Sequence, residues 1–206
     1  MKLNKLNVLA ASVAIVLAGC AAPPPKPGTP EFVQKKEDEQ QKAAVKAVEQ
    51  TVSKAPEWYT KPPVEPSSIY QTATESSPDM QRSMDKAVMT AKSQLASKLG
   101  DRVSQKIKEF ASESGSINDE QVTRSIETAR ISVTTDQNVA GYILEKSEVV
   151  AEGNRYRSYV LLRYPIGENN KVISAQVKKN AVLDGKVKAS KAWEDLENEI
   201  EKAKKK

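Results

Sequence analysis

The residues from Met80 to Phe110 constrain the fold of this chain more than any other stretch. Apolar side chains recur there every three or four residues, which places them on one face of a helix about eight turns long. Ser77 is a typical N-cap residue, and Pro78 suits the first helical position. We expect Gly100 to bend this helix and Gly115 to end it. The recurring side chains are Met80, Met84, Ala87, Val88, Ala91, Leu95, Leu99, Val103, Ile107 and Phe110.

The segments around this helix alternate between strand and helix patterns. A short strand is predicted at Ser68–Thr74, and a second helix begins at Asn118-Asp119-Glu120. Two further strands, Val139–Ala151 and Arg155–Tyr164, are joined by a glycine turn, and the chain is helical again from Glu168. This order predicts an α+β fold: a small three-stranded antiparallel sheet packed on two helices, with flanking N- and C-terminal helices.

The last predicted strand carries arginines on one of its two faces. Arg155, Arg157 and Arg163 occupy alternate positions together with Tyr159 and Leu161 and therefore share a face, which we expect to be mixed and partly wet. These arginines are candidates for binding an anionic glycan or lipid. The alternative is a solvated sheet face, in which Glu145 and Glu148 of the neighbouring strand pair with them.

An aromatic pair lies between prolines ahead of the first strand. Trp58 and Tyr59 follow Pro56 and precede Pro62-Pro63, and we expect these prolines to keep the segment extended and free of helix. Aromatic rings in such a segment can stack on sugars or peptides, so both are candidate binding residues. The alternative is that Trp58 packs against the sheet edge as a lid on a small core.

The N-terminus has the layout of a secretory signal peptide. A basic start is followed by the apolar run Val8–Leu17, which is too short to span a membrane as a helix. Leu17-Ala18-Gly19-Cys20 resembles the lipobox of bacterial lipoproteins. That resemblance implies cleavage between Gly19 and Cys20 and acylation of Cys20 with a diacylglycerol and an N-acyl lipid such as palmitate.

The composition excludes several classes of chemistry. The chain has no histidine and a single cysteine, which the lipid would consume. Cys/His nucleophiles, Ser-His-Asp triads and the usual zinc sites are therefore excluded, and we expect no enzyme, no metal and no cofactor besides the covalent lipid. The formal net charge of +5 includes Lys2 and Lys5 of the signal peptide, so the mature chain is weakly basic and nucleic acid is not an expected partner.

The composition also divides the chain into segments. Residues 1–19 form the signal peptide, and residues 20–55 comprise the lipidated cysteine, a spacer and a helical linker. The spacer has five prolines among residues 21–30, a composition that favours a stiff extended chain. The linker is either a solvated helix or a coiled-coil contact. Residues 56–166 form the α+β domain, and residues 167–206 form a helical, lysine-rich tail.

Several motifs between Pro56 and Ile166 occur together in a fixed order. They are Pro56-Glu57-Trp58, Pro62-Pro63, the helix with Ala87, Ala91, Leu95 and Val103, and the Gly-Asn hairpin before Tyr159-Val160-Leu161-Leu162. In these motifs the segment resembles the bacterial twenty-kilodalton outer-membrane lipoprotein family, and the N-terminal domain of a flagellar outer-membrane accessory protein has a similar layout. The resemblance implies a non-enzymatic envelope lipoprotein, and no catalytic residues are carried over from it.

These observations favour a non-enzymatic lipoprotein of the outer membrane, facing the periplasm or the surface. Ala21, in place of an aspartate that resembles an inner-membrane retention signal, favours sorting to the outer membrane. The domain would have a structural or assembly role in the cell envelope through contact with another envelope protein or with peptidoglycan. The alternative is a periplasmic regulator that reaches through the wall and activates a cell-wall synthase. The sequence does not predict the oligomeric state.

Overall fold

The computed structural model describes residues 26–136 and 139–205. The predicted signal peptide, its cleavage after Gly19 and the acylation of Cys20 lie outside the described residues. The chain divides into two compact units, Met1–Glu49 and Gln50–Lys206. The boundary that the sequence predicts after Ile166 falls inside the second unit.

Helix α1 spans Pro30–Ser53. Its residues up to Glu49 make up most of the described part of the first unit, and its last residues, from Gln50 onward, belong to the second unit. Pro30 occupies the first helical position, where a missing N–H costs nothing. The Thr29 hydroxyl accepts a hydrogen bond from the backbone N–H of Phe32 at 3.3 Å and caps the helix. The predicted helical linker is therefore a helix, and it has no buried residue.

The second unit contains one antiparallel sheet with the strand order β1-β3-β2, surrounded by helices. The predicted α+β fold is confirmed. None of the helices in the described residues is both long enough and apolar enough to cross a membrane. The elements are α2 (Glu57–Thr60), β1 (Ser68–Ser77), α3 (Met80–Glu113), α4 (Glu120–Asp136), β2 (Ile143–Glu152), β3 (Arg155–Pro165), α5 (Ile166–Lys179), α6 (Ala181–Val187) and α7 (Lys191–Lys204).

The beginning of α3 lies two residues later than predicted. Its N-cap is Asp79, whose carboxylate accepts a hydrogen bond from the backbone N–H of Arg82 at 2.8 Å. Ser77 is instead the last residue of β1, opposite Tyr156 in the sheet, so β1 also runs past the predicted end at Thr74. The prediction was wrong because Ser and Asp are both good N-cap residues. Ser77 pairs with Tyr156 of β3 and is part of the sheet, so Asp79 caps the helix.

Gly100 allows α3 and α4 to approach each other closely. The helix runs through this position without interruption. A Cβ atom on Gly100 would overlap Thr134 Oγ1 and would lie 2.9 Å from the backbone carbonyl oxygen of Arg130. Gly100 is therefore a contact residue between two helices, a role that the sequence pattern does not indicate.

The turn between α3 and α4 follows the predicted signals. Gly115 has a φ of +73°, and the backbone N–H of Ser116 donates to the carbonyl oxygen of Ala111 at 2.8 Å, as in a Schellman motif. Gly115 thus ends α3, as predicted. Asp119 starts α4, because its carboxylate accepts from the backbone N–H of Gln121 at 2.9 Å.

Two other predictions about local structure were wrong. The segment after Pro56 forms the single helical turn α2, since Pro56 has a φ of −61° and serves as N-cap, where a proline is tolerated. Strand β2 begins at Ile143, four residues later than the predicted Val139. Val139 is instead buried, and its carbonyl oxygen accepts from the backbone N–H of Tyr142 at 3.2 Å in a turn.

Helix α3 is shared by two hydrophobic cores. Its first half packs on β1 and β3, and its second half packs against the four helices α4 to α7. The predicted apolar face is buried from Ala87 to Phe110, except for the partly buried Val88. The sheet core contains Ala73, Ala87, Ala91, Leu95, Ala96, Leu99, Val139, Val160, Leu162 and Tyr164. The helical core contains Val103, Ile107, Phe110, Ala111, Val122, Ile126, Ala129, Ile173, Val177, Leu183, Val187, Trp193, Leu196 and Ile200.

Candidate binding surface on the outer sheet face

The two faces of the sheet have different environments. Val160, Leu162 and Tyr164 of β3 face the sheet core with α3. The opposite face, which we call the outer sheet face, carries Arg155, Arg157, Tyr159, Leu161 and Arg163 of β3 with their neighbours on β1 and β2. This face is mixed, as predicted, but its centre is dry. Tyr159 is 1% exposed and Leu161 is 0% exposed.

Helix α2 places an aromatic ring over the centre of the outer sheet face. The rings of Tyr59 and Tyr159 are 4.9 Å apart with an interplanar angle of 68°, an edge-to-face contact. Burial raises the pKa of the Tyr159 hydroxyl above its usual value. Trp58, the other candidate aromatic, is half-buried on the same helical turn. The two aromatic residues therefore share the helical turn α2, and it is the ring of Tyr59 that contacts Tyr159 of the sheet.

Arg157 is held by an ion pair at the hairpin end of the outer sheet face. Its Nε lies 2.9 Å from Glu152 Oε1, and the two side chains are 22% and 29% exposed. Glu152 also accepts a hydrogen bond from the hydroxyl of Thr51 at 2.8 Å. The hydrogen bond from Arg157 lowers the pKa of Glu152 below its usual value, and this outweighs the opposite effect of burial. Arg157 is consequently a paired charge within the fold.

The other two candidate arginines also have partners within the sheet. Arg163 Nε donates to Glu145 Oε2 at 2.8 Å, which is one of the two predicted pairings. Arg155 donates to the hydroxyl of Ser76 at 3.0 Å and to its carbonyl oxygen at 3.1 Å. Glu148, the other predicted partner, forms no ion pair with any described residue, and Glu152 pairs with Arg157 instead.

The three arginines do not converge on one point. Arg155 and Arg163 are eight positions apart in one strand, which corresponds to about 26 Å. Because each arginine is already paired or hydrogen-bonded, the outer sheet face has no concentrated positive charge that would capture a free anion. Since Tyr159 and Leu161 are buried, the accessible part of this face consists of the paired charges at its rim and the half-buried aromatic side chains of α2.

Tyr159 and Glu152 also belong to this surface, although neither was predicted to be a binding residue. Alternation along β3 does place Tyr159 on the arginine face, but its contact Tyr59 lies 100 positions away in the chain. Glu152 was predicted as part of the turn. It is the last residue of β2, opposite Arg155, and its side chain reaches Arg157 diagonally.

The inner side of the sheet has a small cavity of about 150 Å³ between α3, α4 and α5. Its lining is mostly apolar and offers no pair of acidic groups for acid/base chemistry. Nor do residues 26–136 and 139–205 contain a group of three or more acidic or cysteine side chains placed to hold a metal ion. The cavity is lined by Leu99, Val133, Val139, Tyr164, Val172, Ala175 and Gln176.

Comparison with protein-family models, with curated proteins and with solved structures finds no match to this chain. The resemblance to the twenty-kilodalton lipoprotein family therefore stays a prediction from the residues quoted for it. Any functional assignment depends on the residues of the chain itself and on the geometry of the second unit.

Proposed function

We propose that this chain is a lipid-anchored outer-membrane protein whose second unit binds another component of the cell envelope and catalyses no reaction. The observation that carries the proposal is Leu17-Ala18-Gly19-Cys20 at the end of a short apolar run. Two or three acyl chains on Cys20 would suffice for stable attachment to a membrane, whereas a single chain would be marginal.

The segment after Cys20 supports this proposal, because it has the properties of a spacer. The composition of residues 21–25, with three prolines, favours an extended chain. The prediction of an extended chain was wrong for residues 26–30, because the backbone N–H of Thr29 donates to the carbonyl oxygen of Lys26 at 3.2 Å in a turn and α1 begins at Pro30. Helix α1 then has 24 residues and no buried residue, so it is about 36 Å long and its side chains remain available to solvent or to a partner. A stretch without a core of its own is suited to separating an anchor from a binding unit.

The outer sheet face supports a binding role. It combines ion pairs with an aromatic contact, and its charged groups are held in fixed positions by hydrogen bonds. Fixed polar groups around aromatic side chains are typical of protein contact surfaces. The absence of histidine from the sequence and of a second cysteine removes the commonest catalytic nucleophiles and bases, which favours binding over catalysis.

The anchor is tested by replacing Cys20 with Ala and labelling cells with palmitate. We expect the Cys20→Ala chain to carry no label and to retain its signal peptide, because the acylated thiol is gone. The matched control is Ala22→Ser, which leaves Cys20 in place and should be labelled like the unchanged chain. Normal labelling of Cys20→Ala would contradict the proposal.

The non-catalytic role is tested separately with the purified full chain and peptidoglycan fragments. We expect no change in the fragments by mass spectrometry, even after long incubation. Turnover of any fragment would overturn this part of the proposal without affecting the anchor. The binding role is tested by purification from solubilised envelopes, where a cell-wall synthase among the partners would favour the regulator over a structural or assembly role.

A further inference from the structure

The direction of the backbone groups in the sheet follows from the hairpin between β2 and β3. Only Gly153 and Asn154 separate the two strands, so Glu152 and Arg155 form the hydrogen-bonded pair that closes the turn. The even-numbered residues of β2 back from Glu152 therefore direct their backbone N–H and C=O groups at β3. The odd-numbered residues between them direct these groups outward, away from the sheet. Lys54 Nζ donates to the carbonyl oxygen of Ala151 at 2.9 Å, as expected for a group that faces outward.

The outer edge of β1 is partly covered by side chains. The same alternation places the outward carbonyl groups of β1 at even-numbered residues, and three of them accept hydrogen bonds. The carbonyl oxygen of Tyr70 accepts from the Lys98 side chain at 3.1 Å, that of Thr72 from the Gln71 side chain at 2.8 Å, and that of Ser76 from the Arg155 side chain at 3.1 Å.

The middle of the outer edge of β2 is open. Ser147 and Val149 point their backbone groups outward, and no strand or side-chain donor from the described residues reaches them. Lys146, Ser147 and Glu148 are exposed, and neither charge forms an ion pair within the described parts of the chain. An exposed strand with free backbone groups is a template for pairing with another strand.

We propose that this edge of β2 pairs with β2 of a second copy of the chain, antiparallel about a twofold axis at Ser147. In this register Ser147 faces Ser147 of the second copy with the backbone groups of both directed at each other. Lys146 then faces Glu148 of the second copy, and the reverse pair forms on the other side of the axis. Both are non-hydrogen-bonded pairs, the type in which facing side chains come closest. The dimer would therefore contain two ion pairs between Lys146 and Glu148, one on each side of the axis.

The neighbouring registers are less favourable. An axis at Glu148 or at Lys146 would place like charges directly opposite each other. A register that pairs Ser147 with an even-numbered residue of the second copy would place outward-facing backbone groups opposite groups that face β3, so the hydrogen bonds between the copies could not form. An axis at Val149 would need the Ala151 backbone, which Lys54 already holds. The bulge between Leu144 and Lys146 limits the regular pairing to a short stretch, so we expect a weak dimer.

The register is tested by exchanging the two charges in the full chain in detergent micelles and measuring dimerisation by sedimentation equilibrium. Lys146→Glu and Glu148→Lys should each weaken the dimer at least about tenfold, because each creates two like-charge pairs. The double variant Lys146→Glu/Glu148→Lys should restore the affinity to within about threefold. A chain that stays monomeric up to about 1 mM, or a dimer that the single exchanges leave unchanged, would overturn the proposal.

A cross-linking experiment locates the contact without changing any charge. Ser147→Cys is introduced into the full chain, in which the acylated Cys20 of the proposed function has no free thiol, and the protein is treated with a short bismaleimide. We expect a cross-linked dimer, because the two thiols face each other across the axis. The matched control, Ser93→Cys on the exposed side of α3, should remain monomeric. Equal cross-linking of both variants, or of the control alone, would place the contact elsewhere and contradict the proposal.

Discussion

The two edges of the sheet differ although both strands have ten residues. The outer edge of β1 receives donors from Lys98 on α3, from Gln71 and from Arg155 on β3, whereas on β2 the donor from Lys54 reaches only the hairpin end. Helix α3 follows β1 after two residues and packs on β1 and β3, so its side chains lie near that edge. Helix α3 supplies one of the three donors, and the other two come from β1 itself and from β3, so the protection of a strand edge depends on neighbouring elements as well as on the strand.

The direction of the backbone groups in β2 can be tested with proline, which removes one N–H. Glu148→Pro should lower the free energy of unfolding by about 2 to 3 kcal/mol, because it breaks a ladder hydrogen bond to β3. Ser147→Pro should cost less than about 1 kcal/mol, since its N–H faces outward. Urea unfolding of both variants gives the comparison, and equal costs would show that the edge assignment is wrong.

Ser83 of α3 is buried and connects this helix to β1 and β3. Its hydroxyl lies 2.9 Å from the carbonyl oxygens of both Glu75 and Tyr156. We expect Ser83→Ala to lower the free energy of unfolding by about 1 kcal/mol, because the two carbonyl oxygens lose the one hydroxyl proton that they share. The control is the exposed Ser93→Ala, which should be neutral in the same urea titration. A neutral Ser83→Ala would mean that this donor does not stabilise the sheet.

The hairpin end of β2 should respond to pH through Glu152. Its pKa is lowered in the folded chain, chiefly by the hydrogen bond from Arg157, so its contribution is present above the unfolded pKa of 4.5 and is lost as the pH falls through the folded pKa. Glu152→Gln should remove about 1 kcal/mol of stability at about pH 7 and less at acidic pH.

The measurement for this prediction is urea unfolding of both chains across the acidic range. The control is Glu148→Gln, whose carboxylate forms no ion pair with any described residue. A stability difference between Glu152→Gln and the unchanged chain that stays constant as the pH falls would exclude the proposed role of the Arg157 hydrogen bond.

The smallest effect is expected at the partly covered outer edge of β1. Lys98→Met removes the donor to the Tyr70 carbonyl oxygen, which water can replace because Lys98 is exposed. We expect a loss below about 0.5 kcal/mol in thermal unfolding, and little change in the control Lys86→Met on the same helix. The more specific effect is new self-association through β1, since its edge is partly uncovered. A loss of stability well above this value would contradict our inference that water can replace the Lys98 donor at the edge of β1.

Local signals in the sequence predicted much of the fold. The apolar period of α3, the stop at Gly115 and the start at Asp119 each depend on residues within one or two turns, so the pattern alone identifies them. The choice between Ser77 and Asp79 as N-cap was not predictable, because pairing with β3 decides it.

The candidate site was less predictable than the fold. Sequence alternation places the arginines on one face, and the pairing of Arg163 with Glu145 follows from the neighbouring strand. The contact of Tyr59 with Tyr159 joins residues far apart in the chain, and the prolines around Tyr59 favoured an extended segment over a helical turn. Such contacts depend on tertiary packing, which no local pattern encodes.

The central claim is that the middle of β2 is an open edge that a second copy covers. Amide hydrogen exchange of the full chain, followed residue by residue by NMR at a dilute and a high concentration, tests it most directly. We expect the amides of Glu148 and Val150 to be protected at both concentrations, and those of Ser147 and Val149 to exchange rapidly when dilute. At high concentration the amide of Ser147 should exchange slowly, because it faces Ser147 of the second copy, whereas Val149 faces the bulge at Glu145 and should gain less protection. Strong protection of Ser147 and Val149 in the dilute sample, or exchange that does not depend on concentration, would contradict the claim.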